Sequence, residues 1–367
     1  MPAAPDALPS SDDTARDRTA APRYRMPAEW APHRATWFSW PHNRETWPDE
    51  LPAVEAALAD AVRALATGEA VHVGVLDAAH RRHVGDLFDA HGVRGDVQLH
   101  VSPTNDAWAR DHGAIFVRDA ARGGAHPEGT LTASLWGFDS WGGKYPHDLD
   151  ARVNRRMADV FGVPTVEGGM ILEGGSLDVN GAGVLLTTEA CLLDASRNPA
   201  MTRADMEARL RAVLGATTVV WLGDGIVGDD TDGHVDDLTR FVGASTVVTA
   251  TEADPSDANH DALAANLDRL RAARIPGGRG GDVPLTVLEL PMPAPVVSKG
   301  ERLPASYANF YIGNRVVLLP VFGDPNDAVA ADTLARCFPD RTVVPVPSRE
   351  IVWGLGSLHC LTQQVPA

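Results

Sequence analysis

Six polar side chains of this sequence combine a nucleophile, an acid–base group and several carboxylates. They are Asp111, Glu173, His234, Asp236, Asn309 and Cys360. A cysteine thiolate can attack an electrophilic carbon while a histidine takes and returns the proton. Carboxylates gathered beside these two groups are costly to bury unless a cation pairs with them. A guanidinium would suit such a pocket, because its five N–H donors form a planar fork that can pair with two carboxylates.

The spacing of these residues indicates that they belong to repeated units. Each stands before a tight turn and a short strand rich in Val and Leu, as in Asp111 before HGAIFV and Asn309 before FYIGNRVVLLP. The separations are 173 − 111 = 62, 234 − 173 = 61, 309 − 234 = 75 and 360 − 309 = 51 residues. Similar units at a period of roughly sixty residues are typical of a propeller or a solenoid. A closed ring of such units would bring the marked residues to one central axis.

The elements between these positions alternate between helical and extended patterns, which is typical of an α/β fold. Apolar residues recur at three- and four-residue spacing in the predicted helices Leu51 to Leu65, Ala78 to His91, Asp150 to Phe161, Arg203 to Leu214, Asp257 to Ala273 and Ala328 to Phe338. Short β-branched runs predict strands at Ala70 to Val75, Val97 to Val101, Ala114 to Val117, Gly183 to Thr187, Thr217 to Leu222, Thr246 to Ala250, Leu285 to Leu290, Val316 to Val321 and Arg341 to Pro345. Thr36 to Trp40 is expected to supply a strand for the remaining copy of the repeat.

A doubly wound nucleotide-binding sheet is not indicated by these strands and helices. The sequence has no GxGxxG after a first strand and no Walker glycine loop. The glycines at positions 168, 169, 174 and 175 are expected to form tight turns, since neither a lysine nor a helix start follows them.

Composition and charge narrow the class of protein and of partner. With 44% hydrophobic and 22% charged side chains among 367 residues, the chain resembles an ordinary globular protein with a large core. The formal net charge of −17 disfavours nucleic acid and anionic membranes as partners, since both reward a basic surface. A cationic ligand fits this charge better.

The cysteines and the N-terminal segment set expectations for location and domain organisation. Cys191, Cys337 and Cys360 lie too far apart for a paired metal-ligand spacing or a disulfide framework, and we expect Cys191 and Cys337 to be core residues. The chain lacks a run of about 18 apolar residues, and its first residues lack the apolar stretch of a secretory signal. We therefore expect a cytoplasmic protein, with a disordered tail at residues 1–20 and a single domain at residues 21–367.

Seven segments, in one order along the chain, resemble the motifs of a known family. They are MPAEWAPH (Met26 to His33), NDAWARDHG (Asn105 to Gly113), LEGGSLDVNG (Leu172 to Gly181), DDTDGHVDD (Asp229 to Asp237), ASYANFYIGN (Ala305 to Asn314), FGDPND (Phe322 to Asp327) and GLGSLHCLTQQ (Gly354 to Gln364). Together they resemble the agmatine deiminase and bacterial-type peptidylarginine deiminase family of the guanidine-modifying pentein superfamily. The resemblance covers nearly the whole chain, and seven ordered motifs are far more specific than any one of them.

The resemblance implies a fold and four catalytic roles. The fold is a five-bladed α/β propeller, or pentein, of ββαβ repeats around a pseudo-fivefold axis that passes through the active site. Cys360 matches the family's nucleophile and His234 its general acid and base. Asp111 and Asp236 match the two carboxylates that clamp the guanidinium. No metal and no cofactor is implied.

Four further residues are expected to contact the substrate. Glu173 and Asn309 lie in family motifs, and Trp108 is either a core residue or an aromatic wall of the pocket. Asp230 matches a family position that could meet a distal amine, and Asp229 is the alternative. An exposed acidic turn with no binding role is equally compatible with the sequence at this point.

The implied reaction is hydrolysis of agmatine to N-carbamoylputrescine and ammonia through a covalent thiouronium on Cys360, a step of putrescine and polyamine biosynthesis. Three alternatives stay open. The substrate could be another guanidine, such as an arginine derivative or peptidyl-arginine; the enzyme could be an amidinotransferase that uses an amine instead of water; or the chain could be a non-catalytic propeller scaffold. A small cationic guanidine is the expected partner, and a homodimer is the default oligomer because symmetric homo-oligomers are common.

Departures from the family pattern concern the pocket and one loop. Ala114 stands where the family usually has Pro, and Leu355 and Ser357 stand where GGGN is common beside the nucleophile. The insert ARGGAHPEG is expected to be a surface loop. His359 is expected to be structural, because alternation along a strand would place it on the side opposite Cys360.

Overall fold

Five sheets of one pattern form the framework of the computed structural model, which describes residues 21–123, 126–278 and 280–367. In each sheet, two antiparallel strands are followed by a helix and by a strand parallel to the second. This is the predicted ββαβ repeat, and its five copies confirm the predicted α/β fold class. The expected tail at residues 1–20 lies outside the described residues, as does part of the Gly-rich insert.

The strands group into sheets as follows. The first sheet contains Thr362–Pro366, His33–Ser39, Ala70–Val75 and Val97–Val101, and the second contains Tyr24–Arg25, Ile115–Asp119, Thr130–Gly137 and Thr165–Ile171. The third contains Asp178–Val179, Val184–Thr188 and Thr218–Leu222; the fourth contains Thr239–Gly243, Thr246–Thr251 and Thr286–Pro291; the fifth contains Tyr311–Ile312, Val316–Val321 and Thr342–Pro347. Two hairpins, Arg274–Pro276 with Asp282–Pro284 and Val297–Ser298 with Glu301–Arg302, lie outside these sheets.

Helices connect strands within each sheet, and four short segments lie between one sheet and the next: Ala109–His112, Gly174–Ser176, Val235–Asp237 and Ile351–Gly354. The longer helices are Leu51–Leu65, Ala78–Ala90, Val153–Phe161, Arg203–Leu214, His260–Ala272 and Asn326–Cys337. The short α-helical segments are Ala109–His112, Ser140–Gly143 and Glu189–Leu192. The 3-10 turns are Ala120–Arg122, Asp150–Arg152, Gly174–Ser176, Val235–Asp237 and Ile351–Gly354.

The six predicted helices are present, with small shifts where side chains are used elsewhere. The helix Arg203–Leu214 has its predicted bounds, because Thr202 and Asp205 form a capping box at its start. The helix predicted from Asp257 begins at His260 instead. The carboxylate of Asp257 accepts a hydrogen bond from Arg302, at 2.7 Å, and so belongs to the preceding turn.

The helices bury apolar faces against the sheets. In Leu51–Leu65, the side chains of Val54, Leu58 and Val62 are fully buried. Truncation of a buried leucine such as Leu58 to alanine typically costs about 2–5 kcal/mol of unfolding free energy. Among the described helices, none is long and apolar enough to cross a membrane.

The C-terminal strand closes the ring of sheets. Thr362–Pro366 pairs antiparallel with His33–Ser39, so that Gln364 lies opposite Thr36. The strand expected at Thr36 to Trp40 is present, but it begins at His33 and ends at Ser39. The backbone N–H of Arg110 donates to the carbonyl oxygen of Cys360 at 3.0 Å. Closure therefore places the loop of the predicted nucleophile beside the turn that carries Asp111.

Each repeat presents its marked residue at the same place. The five residues lie a few residues before the first strand of an antiparallel pair: Asp111 before Ile115–Asp119, Glu173 before Asp178–Val179, His234 before Thr239–Gly243, Asn309 before Tyr311–Ile312 and Cys360 before Thr362–Pro366. Because the five sheets share one pattern, this position recurs at the same end of each sheet. The repeat thus brings residues that are far apart in sequence into one site.

Candidate active site

A cavity of about 560 Å³ contains two of the predicted catalytic side chains, Asp111 and Cys360, in its wall. The predicted substrate-binding residues Trp108 and Asp230 also line it. The other four predicted site residues are fully buried behind the wall; they are His234, Asp236, Glu173 and Asn309. The structure therefore places all eight in one region, four on the cavity surface and four behind it.

Asp111 is held by two N–H donors at the end of the turn Ala109–His112. Trp141 Nε1 donates to Oδ2 at 3.0 Å, and the Gly175 N–H donates to Oδ1 at 3.0 Å. Burial raises the pKa of Asp111 well above its ordinary value, and the charges of Asp236 and Glu173 raise it further. Asp111 therefore favours its neutral form unless a cation lies beside it.

His234 is fully buried, and neither ring nitrogen has a hydrogen-bond partner among the described residues. Its Nδ1 lies 3.7 Å from Asp111 Oδ1. Burial lowers the pKa of His234 to about 3, although the charge of Asp236 opposes this shift. The imidazole is therefore neutral in the free protein.

Cys360 lies in the turn before the C-terminal strand and is 4% exposed. Asn309 Nδ2 donates to Sγ at 3.1 Å, and Asn309 Oδ1 accepts the Cys360 N–H at 3.3 Å. Sγ lies 3.6 Å from Asp236 Oδ2. Burial raises the pKa of the thiol well above its ordinary value, and the charges of Asp236, Asp237 and Asp111 add to the rise. The predicted nucleophile is thus a protonated thiol until positive charge enters the site.

A histidine next to the nucleophile holds Asp236 in its ionised form. His359 Nδ1 lies 2.7 Å from Asp236 Oδ2, and its Nε2 lies 2.8 Å from Glu29 Oε2. Both contacts are hydrogen bonds only when both ring nitrogens carry protons. Burial alone would raise the pKa of Asp236, but His359, His234 and Arg240 together bring it below its ordinary value. Asp236 is the carboxylate that carries negative charge in the site.

The prediction that His359 lies on the far side of a strand from Cys360 is wrong, and that it is structural stays a prediction. His359 lies in a turn, because the strand begins only at Thr362, so strand alternation does not apply to it. The ring therefore turns toward Asp236, the same carboxylate that Cys360 approaches. The available signal was the preceding Gly-Leu-Gly-Ser run, which favours a turn.

Glu173 is fully buried and pairs with the buried guanidinium of Arg197. Arg197 Nε donates to Glu173 Oε1 at 2.8 Å, and its Nη1 donates to Asp232 Oδ2 at 2.9 Å. Burial raises the pKa of Glu173, and Arg197 opposes this rise. Glu173 Oε2 has no hydrogen-bond partner within the described chain, so one oxygen remains able to accept a donor.

Asp230 lies at the rim of the cavity and already has two partners. The Tyr145 hydroxyl donates to Oδ2 at 2.7 Å, and Lys144 Nζ lies 3.5 Å from Oδ1. The hydrogen bond to Asp230 raises the pKa of Tyr145 to about 12, so the hydroxyl remains a donor. Asp229, the alternative, accepts three backbone N–H groups of its own loop and is therefore committed to the loop's shape.

Trp108 and Leu355 line the cavity close to Cys360. Trp108 also packs against Trp47, with ring centroids 5.5 Å apart. Trp108 is therefore both a core residue and part of the cavity wall. Leu355 has a φ of 69°, in the left-handed region that favours glycine. The hydroxyl of Ser357 is buried without a hydrogen-bond partner among the described residues. Two of the departures from the family pattern therefore lie beside the nucleophile.

Three residues that hold the site were not identified from the sequence. They are Glu29, Trp141 and Arg197, each bonded to a site residue or its neighbour across a large sequence separation. Glu29 lies within MPAEWAPH, one of the seven motifs, but no local pattern links it to His359. Such contacts arise from the tertiary structure rather than from any periodicity.

Two groups of side chains in the site have the types that can ligate a metal. Within each group the donor atoms lie within 4.8 Å of one another; the groups are Glu173, Cys191 and His234, and Asp236, Asp237 and Cys360. Cys191 is fully buried, as expected of a core residue, but it also lies beside the predicted acid–base histidine. That the reaction needs no metal stays a prediction.

Comparisons with known proteins agree with this arrangement. The model of the Porphyromonas-type peptidyl-arginine deiminase family matches residues 25–366. The chain is 36% identical to the agmatine deiminase of Ectopseudomonas mendocina (strain ymp), over 95% of this chain and 98% of that protein. It is 37% identical, with the same coverage, to the agmatine deiminase of Stutzerimonas stutzeri (strain A1501). The solved agmatine deiminase of Enterococcus faecalis has a TM-score of 0.86 at 28% identity, with 99% of each chain covered. The chain therefore belongs to the Porphyromonas-type peptidyl-arginine deiminase family.

Proposed function

We propose that this protein is an agmatine deiminase, a hydrolase that converts agmatine and water to N-carbamoylputrescine and ammonia. The observation that carries the proposal is the position of Asp236, whose Oδ2 lies 3.6 Å from Cys360 Sγ. A charged carboxylate beside a thiol can hold a guanidinium with its carbon next to the nucleophile. The curated relatives named as agmatine deiminases support the choice of substrate.

The guanidinium would be bound by carboxylates on both sides. Asp111 and Asp236 would accept its N–H groups, and the unpartnered Oε2 of Glu173 offers a third acceptor. Trp108 would flank the substrate, since an aromatic face attracts a cation. Charge-assisted hydrogen bonds of this kind are about twice as strong as neutral ones, and they fix the plane of the guanidinium.

The substrate's charge would activate the nucleophile. Three carboxyl groups keep Cys360 protonated, and a bound guanidinium cancels their effect and lowers the pKa of the thiol in the complex. Neutral His234 cannot supply that positive charge beforehand. It instead accepts the thiol proton, so that thiolate and imidazolium form together with the substrate in place. Asn309, which donates to Sγ at 3.1 Å, would stabilise the thiolate.

The bond changes then follow in two halves. Sγ attacks the guanidinium carbon and forms a tetrahedral adduct, and the imidazolium of His234 returns its proton to the leaving nitrogen as the C–N bond breaks and ammonia departs. Water attacks the resulting thiouronium while His234 takes its proton. The C–S bond then breaks as the hydroxyl of the adduct loses its proton and becomes the carbonyl of the ureido product. One proton returns to the thiolate and the other protonates the released ammonia, so that His234 is neutral again and the products are the ureide and ammonium.

Asp230 would meet the terminal ammonium of agmatine at the cavity rim. Its Oδ1 has only the 3.5 Å contact with Lys144, so this oxygen can accept a hydrogen bond from the ammonium. The alkyl chain of agmatine then sets the distance between its guanidinium at Asp111 and its amine at the rim. This assignment is part of the same proposal, as are the roles of the other predicted site residues.

The proposal is tested with purified protein and a panel of guanidines. Agmatine, arginine, an arginine-containing peptide and N-substituted guanidines are incubated separately, and ammonia and ureido product are measured. We expect equal amounts of ammonia and N-carbamoylputrescine from agmatine. Cys360→Ala should abolish both products, whereas Cys337→Ala, which removes another free thiol outside the cavity, should retain them.

The outcomes separate the alternatives. A higher kcat/KM for arginine or the peptide than for agmatine would assign another guanidine as substrate. Amidine transfer to an added amine without ureido product would assign an amidinotransferase. If no guanidine releases ammonia and Cys360 resists alkylation, the chain is a propeller scaffold and the proposed function is wrong.

The same proposal includes a cytoplasmic location and a role in putrescine formation. The three free cysteines support it, because free thiols suit a reducing compartment. We further propose that residues 21–367 act as one catalytic domain and that the protein forms a homodimer. Light scattering after size exclusion measures the latter.

A further inference from the structure

A strained turn lies at the cavity beside Asp111. Its four residues, Ser140, Trp141, Gly142 and Gly143, have φ values of 61°, 55°, 87° and 82°. This is the left-handed region, which glycine adopts freely but which is unfavourable for a residue with a bulky side chain. A tryptophan keeps such a conformation only where its contacts outweigh the strain, and strained residues of this kind cluster at functional sites.

The contacts of Trp141 fix its indole against the substrate-binding carboxylate. Nε1 donates to Asp111 Oδ2 at 3.0 Å, and the side chain lines the cavity. The ring packs edge to face against Phe138 and Tyr145, with centroids 5.5 and 6.0 Å away. The ring is therefore supported on the face and edge that do not reach Asp111.

The turn is also fastened to neighbouring segments of the site. Lys144 Nζ donates to the carbonyl oxygen of Asp230 at 2.6 Å and to Asp232 Oδ1 at 2.9 Å. A Cβ at Gly142 would collide with Ser196 Oγ, so this glycine permits a close approach to the segment before Arg197. The turn cannot shift without breaking these contacts, and Trp141 is held with it.

We propose that Trp141 is a positioning residue for the deiminase reaction, whose N–H fixes Oδ2 of Asp111 and so orients this carboxylate toward the guanidinium. The inference rests on the proposed function. An indole N–H is a donor only, so it binds the carboxylate without competing for the donors of the substrate. The left-handed backbone of the turn is the device that places this donor.

The proposal has a consequence for pH dependence, because most groups around Asp111 oppose its ionisation or are neutral. The charged or titratable groups that face it are Asp236, Glu173, Asp237, His234, Cys191 and Cys360. Against them, the N–H groups of Gly175 and Trp141 favour the carboxylate. Loss of either donor therefore moves the ionisation of Asp111 to higher pH.

Trp141→Phe removes the N–H donor and keeps an aromatic ring. We expect kcat/KM for agmatine to fall about tenfold to a hundredfold, mainly through KM, as for loss of a hydrogen bond to a charged group. The acid limb of the kcat/KM profile should move to higher pH. Trp221→Phe is the matched control, because Trp221 Nε1 also donates to a carboxylate, that of Glu207, at 2.8 Å but away from the cavity. It should leave kcat/KM and its pH profile unchanged.

Binding measurements distinguish positioning from a structural role. In a Cys360→Ala background, calorimetry should show that Trp141→Phe raises the Kd for agmatine by the same factor. When Asp111→Asn is also present, Trp141→Phe should change the Kd for agmatine much less. If Trp141→Phe does not fold, Gly142→Ala displaces the same turn and should raise the Kd likewise.

An unchanged Kd and pH profile in a folded Trp141→Phe protein would overturn the proposal, even if its Tm is lower. Failure of the Cys360→Ala protein to bind agmatine, together with no ammonia from the wild type, would instead contradict the proposed function.

Discussion

Gly175 is a position at which a single methyl group should disable the site. The residue lies in the turn Gly174–Ser176, and its φ lies outside the positive region, so its backbone can accommodate alanine. A Cβ there would lie 2.6 Å from His234 Nδ1, 2.8 Å from Asp111 Oδ1 and 3.0 Å from Asp236 Oδ2. Gly175→Ala therefore perturbs the acid–base group and both clamping carboxylates without changing any of them.

The magnitude follows from these distances. Ordinary contact begins near 3.4 Å, so the three atoms must move by 3.4 − 2.6 = 0.8 Å, 3.4 − 2.8 = 0.6 Å and 3.4 − 3.0 = 0.4 Å. A misplacement of about 1 Å can reduce an enzymatic rate by about 10²-fold. We expect kcat/KM for agmatine to fall by about 10²-fold, or ~2.7 kcal/mol of transition-state stabilisation. Overpacking should lower the free energy of unfolding by about 1–3 kcal/mol.

The assay is ammonia release from agmatine, with thermal unfolding measured in the same buffer. Gly85→Ala is the matched control, because a Cβ at Gly85 would meet no atom within 4 Å and the residue lies in the helix Ala78–Ala90. It should gain about 0.5–1 kcal/mol of stability and keep full activity. A folded Gly175→Ala enzyme with wild-type kcat/KM would show that the three groups are not packed around residue 175 as described.

Three further substitutions test the electrostatics and the wall of the cavity. Asp150→Asn should raise the free energy of unfolding by up to about 4 kcal/mol at pH 8 and leave it unchanged near pH 4. Burial raises the pKa of Asp150 to about 7, so the folded protein resists an ionisation that the unfolded chain completes near pH 4, and urea titrations at both pH values measure the difference. His359→Gln should raise the pKa of Asp236, which shifts the acid limb of kcat/KM to higher pH; an unmoved limb would separate His359 from catalysis. Leu355→Gly should relieve about 1 kcal/mol of backbone strain and raise the ratio of kcat/KM for arginine over agmatine, and an unchanged ratio would exclude Leu355 from substrate selection.

The repeat predicted from the sequence explains why so many site residues could be identified. Asp111 and Glu173 were singled out because each precedes a turn and a short strand, and the structure shows that this position recurs before the first strand of each antiparallel pair. Spacing along the chain therefore carried information about position in space. The regular helices were predicted for the same reason, since their apolar faces follow a local period.

Contacts between separate loops left no such trace. The position of His359 was predicted wrongly because alternation requires a strand at residue 359, whereas the strand begins 362 − 359 = 3 residues later. Trp141 reaches Asp111 from a turn with left-handed backbone at a non-glycine residue, and sequence patterns favour glycine there. Local sequence patterns thus identified the residues whose place is set by the repeat. They missed the residues that hold those side chains in position.

The electrostatics of the site also explain how one set of carboxylates can serve both binding and release. Burial and like charges favour the neutral forms of Asp111 and of the Cys360 thiol, whereas His359 keeps Asp236 ionised. A guanidinium reverses the first two preferences, so Asp111 and the nucleophile become charged together once the cation is bound. Deimination converts that cation to a neutral ureido group, and the positive charge leaves as ammonium. Asp111 and Cys360 then recover their protons, and the hydrogen bonds between Asp111 and the ureido group are neutral ones, which are weaker by about half.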